Sequence, residues 1–105
     1  MDGRAEMKYW FSDMGDVEEG KLIEVAINRA ANVRVVDKEN FEKYKKLEQH
    51  EYIGGHVKFS PYKVKLPRTD HWFVVVDLGG KPGKVNASFT VLPKDRKSEV
   101  IRFED

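Results

Sequence analysis

The sequence has no cysteine. Disulfides, thiolate nucleophiles and cysteine-ligated zinc are therefore excluded. Long apolar runs are missing too. No stretch approaches the ~18 apolar residues of a membrane-spanning helix. The opening "MDGRAEMKYW" also lacks the apolar segment of a signal peptide. A cytoplasmic protein without a membrane partner is the expectation. A dominant charge is absent as well: the formal net charge is +1, which gives no overall reason to expect nucleic acid as a partner. Repeats, low-complexity segments and linkers are not seen.

What is present is a chain of 105 residues, 40% hydrophobic and 35% charged, the size and balance of one globular domain. Its main signal is alternation with period two. In "KVNASFTVL" (84–92), Val85, Ala87, Phe89 and Val91 face one way and Asn86, Ser88 and Thr90 the other. "KLIEVAIN" (21–28) alternates through Ile23, Val25 and Ile27. "FVVVDL" (73–78) is apolar on both faces as far as Asp77, as a central strand covered on both sides would be. "MKYWFSDM" (7–14), "NVRVV" (32–36) and "PYKVKL" (61–66) read as further strands. The last is an edge strand, because the flanking Pro61 and Pro67 cannot donate to a ladder.

One segment departs from this period. "DKENFEKYKKLEQ" (37–49) spaces Phe41, Tyr44 and Leu47 by three, which predicts a short helix over about 38–48 with Asp37 as N-cap. Six to eight short strands with one helix predict a mainly β fold, an antiparallel β-sandwich or flattened barrel. The domain is expected to span 7–93. Residues 1–6 read as a loose leader. The charged tail 94–105 retains Val100, Ile101 and Phe103 and could supply an extra edge strand.

"DLGGKPGKV" (77–85) invites a phosphate-loop reading, which its residues reject. A Walker motif would need Gly where Leu78 stands, Ser or Thr where Val85 stands, and a helix afterwards. A β-hairpin connection fits better. Lys81 and Lys84, beside loop N–H groups, still offer a candidate anion site. The histidines at 50, 56 and 71 lack metal-ligand spacing, so no metal and no cofactor are expected. No serine sits in a nucleophile elbow. Asp13, Asp16, Glu18 and Glu19 form an acidic stretch without the oxygen spacing of a calcium loop. Residues 49–68 carry a basic excess interleaved with Tyr52, Phe59 and Tyr62. Such a face can bind single strands, yet it equally describes the outside of an edge strand. Nucleic acid is not the expected partner.

An ordered set of motifs carries a resemblance: "AANVRVVD" (30–37), "NF" (40–41) with Tyr44, "QHEYIGG" (49–55), "SP" (60–61), "LP" (66–67), "HWFVVVDLGG" (71–80) and "VNASFTVLP" (85–93). Together they resemble a bacterial family, number eighteen eighty-three in the domain-of-unknown-function series. The resemblance implies a compact, mostly β domain that occurs alone or fused to a TIR-type signalling domain. It implies no activity.

Packing explains the apolar motif residues. Asn32, Asn40, Tyr44, His50, Tyr52, His71 and Trp72 are polar or amphipathic and are the candidate ligand-binding residues. Caps, turn bonds and buried hydrogen bonds could also account for them. The alternative is a polar-aromatic cleft between the helix, the "QHEYIGG" turn and the start of the "HWF" strand. The expected function is a non-catalytic recognition or sensor module for a small molecule or a partner protein. A homo-oligomeric assembly module is the alternative. A small metal-dependent enzyme is the remaining reading.

Overall fold

The structure, a computed structural model, describes residues 8–93. The leader at 1–6 and the tail at 94–105 lie outside the described residues. The elements are β1 (Tyr9–Val17), β2 (Leu22–Ile27), β3 (Ala31–Asp37), α1 (Lys38–Lys45), β4 (Ile53–Val57), β5 (Tyr62–Lys65), β6 (Asp70–Asp77) and β7 (Ala87–Leu92). They form a four-stranded sheet in the order β1-β6-β3-β4 and a three-stranded sheet in the order β5-β2-β7. Every pairing is antiparallel. The fold is the expected mainly β sandwich, and among the described residues the sheets do not close into a barrel. β5 lies at a sheet edge, as its flanking prolines required.

The two faces of β6 explain its unbroken apolar run. Trp72, Val74 and Val76 point between the sheets, where they join Ile23, Val25, Val33 and Val35 in the main core. Phe73 and Val75 point outward and meet Val36, Phe41 and Tyr44 in a second core under α1. Phe41 stacks on Phe73 with centroids 4.1 Å apart. Burying each large apolar side chain contributes about 1.5–3 kcal/mol. This contribution holds in place a helix too short to persist alone.

Asp37 caps α1 as predicted: its Oδ1 accepts from Asn40 N at 2.9 Å. The other end differs from the expectation. The helix stops at Lys45 rather than near 48, because Leu47 turns left-handed (φ 62) and Glu48 N donates back to Lys43 O. A left-handed leucine is strained, and Leu47 is 61% exposed, so its side chain contributes little packing. Leu47→Gly should therefore stabilise the domain by about 0.5–1 kcal/mol, net of the extra freedom glycine gives the unfolded chain. Urea unfolding would measure it.

The "DLGGKPGKV" segment requires a correction. It does connect two strands, but β6 and β7 belong to different sheets, so it is a crossover and not a hairpin. Hairpins close with two to five residues. The longer stretch from Leu78 to Asn86 is what the roughly 10 Å between packed sheets demands.

Candidate functional site

The polar candidates fall into three groups, placed by strand register. The first lies on the outer face of the four-stranded sheet and centres on Asp77, which is 1% exposed. Asp77 Oδ1 accepts from Asn32 Nδ2 (2.8 Å) and Gly79 N (2.9 Å). Its Oδ2 accepts from Arg34 Nη1 (2.7 Å) and Tyr44 OH (2.8 Å). Register brings them together: Asn32 lies opposite Asp77, Arg34 opposite Val75, and α1 hangs Tyr44 over both strands. His56 Nδ1 extends the network by donating to Asn32 Oδ1 at 3.1 Å. Burial pushes the Asp77 carboxyl up, but the bonds from Asn32, Tyr44 and Gly79 and the charge of Arg34 outweigh it, leaving the group below its ordinary value. Burial, with the adjacent carboxylate, pushes the Tyr44 phenol well above its usual range.

The second group surrounds an open depression of about 630 Å³ at the junction of β3 and α1. Asp37, Glu39, Asn40, Lys43, Gln49, His50, Glu51 and Arg68 line it. An adjoining hollow of about 120 Å³ shares Asp37, Asn40 and Arg68 and reaches Tyr52 and Trp72. Asp37 pairs with Arg68, whose Nε also donates to Asp70 Oδ2 at 3.3 Å. Burial raises the Asp37 carboxyl; bonds from Asn40 and the Arg68 charge more than reverse this, so the group sits low. Asn40 also ties the opposite wall, its Oδ1 accepting from Glu51 N at 2.9 Å. His50 Nδ1 donates to Glu48 O at 2.9 Å. His50 Nε2 is buried without a partner among the described residues. Tyr52 is 45% exposed, and its ring lies 5.0 Å from the Arg34 guanidinium.

The third group is apart from both. His71 Nε2 meets Asp13 Oδ1 at 2.6 Å, and its ring stacks on Phe73 at 5.0 Å. Asp13 stands beside a break in the β1–β6 register. Gly15 N, with a contribution from His71, holds its carboxyl low.

Of the seven candidates, Asn40, His50, Tyr52 and Trp72 thus share the depression and its hollow. Trp72 reaches it from the core: it is 2% exposed and donates from Nε1 to Arg68 O at 3.2 Å. Asn32 and Tyr44 belong to the Asp77 network, and His71 lies outside. Lys81 lines separate hollows beside the 78–86 crossover, and the Lys84 carbonyl accepts from Arg29 Nη1 at 3.3 Å. Sequence reasoning missed Arg34, Asp77 and Arg68 as organisers. The signal for Asp77 was there: it shares a face with Phe73 and Val75, and a carboxylate on a buried face needs donors. Among the described residues no three His, Asp or Glu side chains converge as a metal-ligand set.

The molecule is thus a two-sheet antiparallel sandwich, with one sheet face roofed by a helix and a polar-aromatic depression beside that roof. The chain belongs to the domain-of-unknown-function family DUF1883, whose family model matches residues 7–95. No curated protein and no solved structure matches it.

Proposed function

We propose that this domain is a non-catalytic recognition module that binds a small polar ligand or a short peptide in the depression beside α1. The observation that carries the reading is the convergence of Arg68, Lys43, His50 and Gln49 on one open concavity. Its floor is already fixed by the Asp37–Asn40–Arg68 bonds. Such a floor is preorganised, so a ligand would not have to order it. A signalling role in the bacterial cytoplasm rests on the resemblance drawn above, with its fusions to TIR-type domains.

Thermal-shift screening with nucleotides, sugars and short peptides, followed by calorimetry on any hit, tests the reading. A ligand at about one hundred times its dissociation constant should add about 2.7 kcal/mol of stability. His50→Ala, Tyr52→Ala and Arg68→Ala should each weaken that shift, and His71→Ala should leave it intact. A shift that survives all three of the first variants removes the depression as the site.

Self-assembly through a sheet edge is a second reading with its own observation. Among the described residues β1 and β7 each have one neighbour, and their inward residues Trp10, Met14, Phe89 and Val91 are only partly buried. Open edges of this kind are pairing templates. Sedimentation over a range of concentrations decides it, a strict monomer counting against assembly.

A further inference from the structure

The near-zero net charge conceals a basic end of the sandwich. Register places the starts of β1, β3, β5 and β7 and the ends of β2, β4 and β6 at one end. Tyr9 and Asn32 both face Asp77, Ala31 faces Val57, Val25 faces Tyr62, and Ile27 faces Ala87. Three loops therefore meet there: 28–30, 58–61 and 78–86. They are tied together by hydrogen bonds. Ile27 N donates to Ser60 Oγ (2.9 Å), Asn86 N to Asn28 Oδ1 (2.9 Å), and Arg29 to Lys84 O. These loops bring Arg29, Lys58, Lys81 and Lys84, and Lys8 joins them at the start of β1; all five are exposed. None of the three loops contains Asp or Glu. The opposite end carries both signs, with Asp16, Glu18, Glu19 and Asp70 beside Lys21, Lys65 and Arg68.

Phe59 is at the basic end and is 83% exposed, the most exposed large apolar side chain among the described residues. Nearby hollows supply pockets on the same surface. One of about 310 Å³ is lined by Arg29, His56 and Lys81, and one of about 340 Å³ by Lys8 and Lys81.

We propose that this loop end is a peripheral docking surface for an anionic lipid bilayer, with Phe59 entering the interface and the cations meeting headgroup phosphates. A bilayer surface meets both demands at once: it accepts an isolated aromatic ring at the acyl boundary and concentrates negative charge around it. A single-stranded nucleic acid would instead use several ring faces along a groove, and Phe59 stands alone in its loop. The docking end is the one remote from the depression, because β3 runs from Ala31 at the loops to Asp37 at the depression. A membrane-bound domain would therefore keep its depression turned to the solvent. The surface stands whether or not the depression binds a ligand.

Vesicle co-sedimentation of the full chain tests it. Vesicles of mixed phosphatidylserine and phosphatidylcholine should pull the protein down at low salt and release it as salt rises. Pure phosphatidylcholine vesicles should leave it in solution. Lys58→Ala and Lys81→Ala should each weaken binding about fivefold, and Phe59→Ser roughly tenfold. Glu18→Lys, at the far end, should not weaken it. These side chains are exposed, so the variants should melt with the wild type, which thermal unfolding checks. Absence of binding to the anionic vesicles overturns the proposal, as does binding indifferent to Phe59→Ser and to both lysine changes. Binding of a single-stranded oligonucleotide that outcompetes the vesicles and shows the same variant pattern would assign the surface to nucleic acid instead.

Discussion

Replacing Asp77 by alanine should remove about 3 kcal/mol of stability. Breaking a buried ion pair at one partner typically costs about 3–5 kcal/mol, because the other charge is left behind. Arg34 retains 22% exposure, so water takes back part of its charge and the lower figure applies. Tyr44 OH and Asn32 Nδ2 lose their acceptor in the same step. A domain of this size holds about 5–15 kcal/mol in all, so the melting temperature should fall by roughly 15 °C. Chemical denaturation checks the free energy and calorimetry the temperature. Replacing both partners, as Asp77→Leu with Arg34→Met, should cost less than Asp77→Ala alone, since neither charge is stranded. A double change at least as damaging as the sum of the two singles would show that the pair does not act as a unit.

The same carboxylate sets an acid limit. Its folded-state pKa is depressed below the ordinary value. Its contribution is therefore complete above about pH 4, the unfolded value, and is lost as pH falls through the folded one. Asp37 acts in the same direction. Tyr44 acts at the alkaline side. Its pKa is raised, so its contribution is complete below about pH 10 and declines as pH rises beyond that.

Much of this architecture was legible in the residues because it follows from local periods. The apolar run of β6 predicts cover on both faces, and Phe73 under Phe41 with Val74 in the core supplies it. Asp37 ahead of an amphipathic stretch predicts a cap, and Asn40 N provides the bond. What escaped depends on contacts across long separations. Asp77 looks like a turn residue until β3 and α1 bring Asn32, Arg34 and Tyr44 to it. Arg68 is one more basic residue until it pairs with Asp37 and lies 5.0 Å over the Trp72 ring. The grouping of His71 with Trp72 was decidable from the sequence. Neighbours in a strand point to opposite faces, so one joins the core and the other meets Asp13. Net charge was uninformative for a related reason: a sum over the chain cannot show that three loops free of Asp and Glu meet at one end and bring Arg29, Lys58, Lys81 and Lys84 together.

Gly54→Ala should be at least as damaging as the loss of Asp77, by a purely steric route. Gly54 pairs with Arg34 in β4 and takes φ +134, a conformation L side chains rarely adopt. A Cβ there would lie 2.1 Å from the Val33 carbonyl oxygen. That oxygen is backbone in the middle of β3, so it cannot swing aside as a side chain would. β4 must then either flip its local backbone or unpair from β3. The first loses ladder bonds, and the second exposes Val33 and Val35, both fully buried. A cost of about 4 kcal/mol or more follows, in the range of the largest single-site effects. Gly55 provides the control. Its φ is +155, yet nothing lies within 4 Å of a Cβ built there. Gly55→Ala should therefore carry conformational strain alone, about 1–3 kcal/mol. Unfolding of the two variants side by side separates collision from strain, and equal losses would mean the strand relaxes around either methyl. The outcome bears on the depression as well, because β4 anchors the 49–52 segment that forms its wall. If Gly54→Ala unpairs β4 while the rest of the sandwich survives, the ligand binding proposed for the depression should disappear before the fold does.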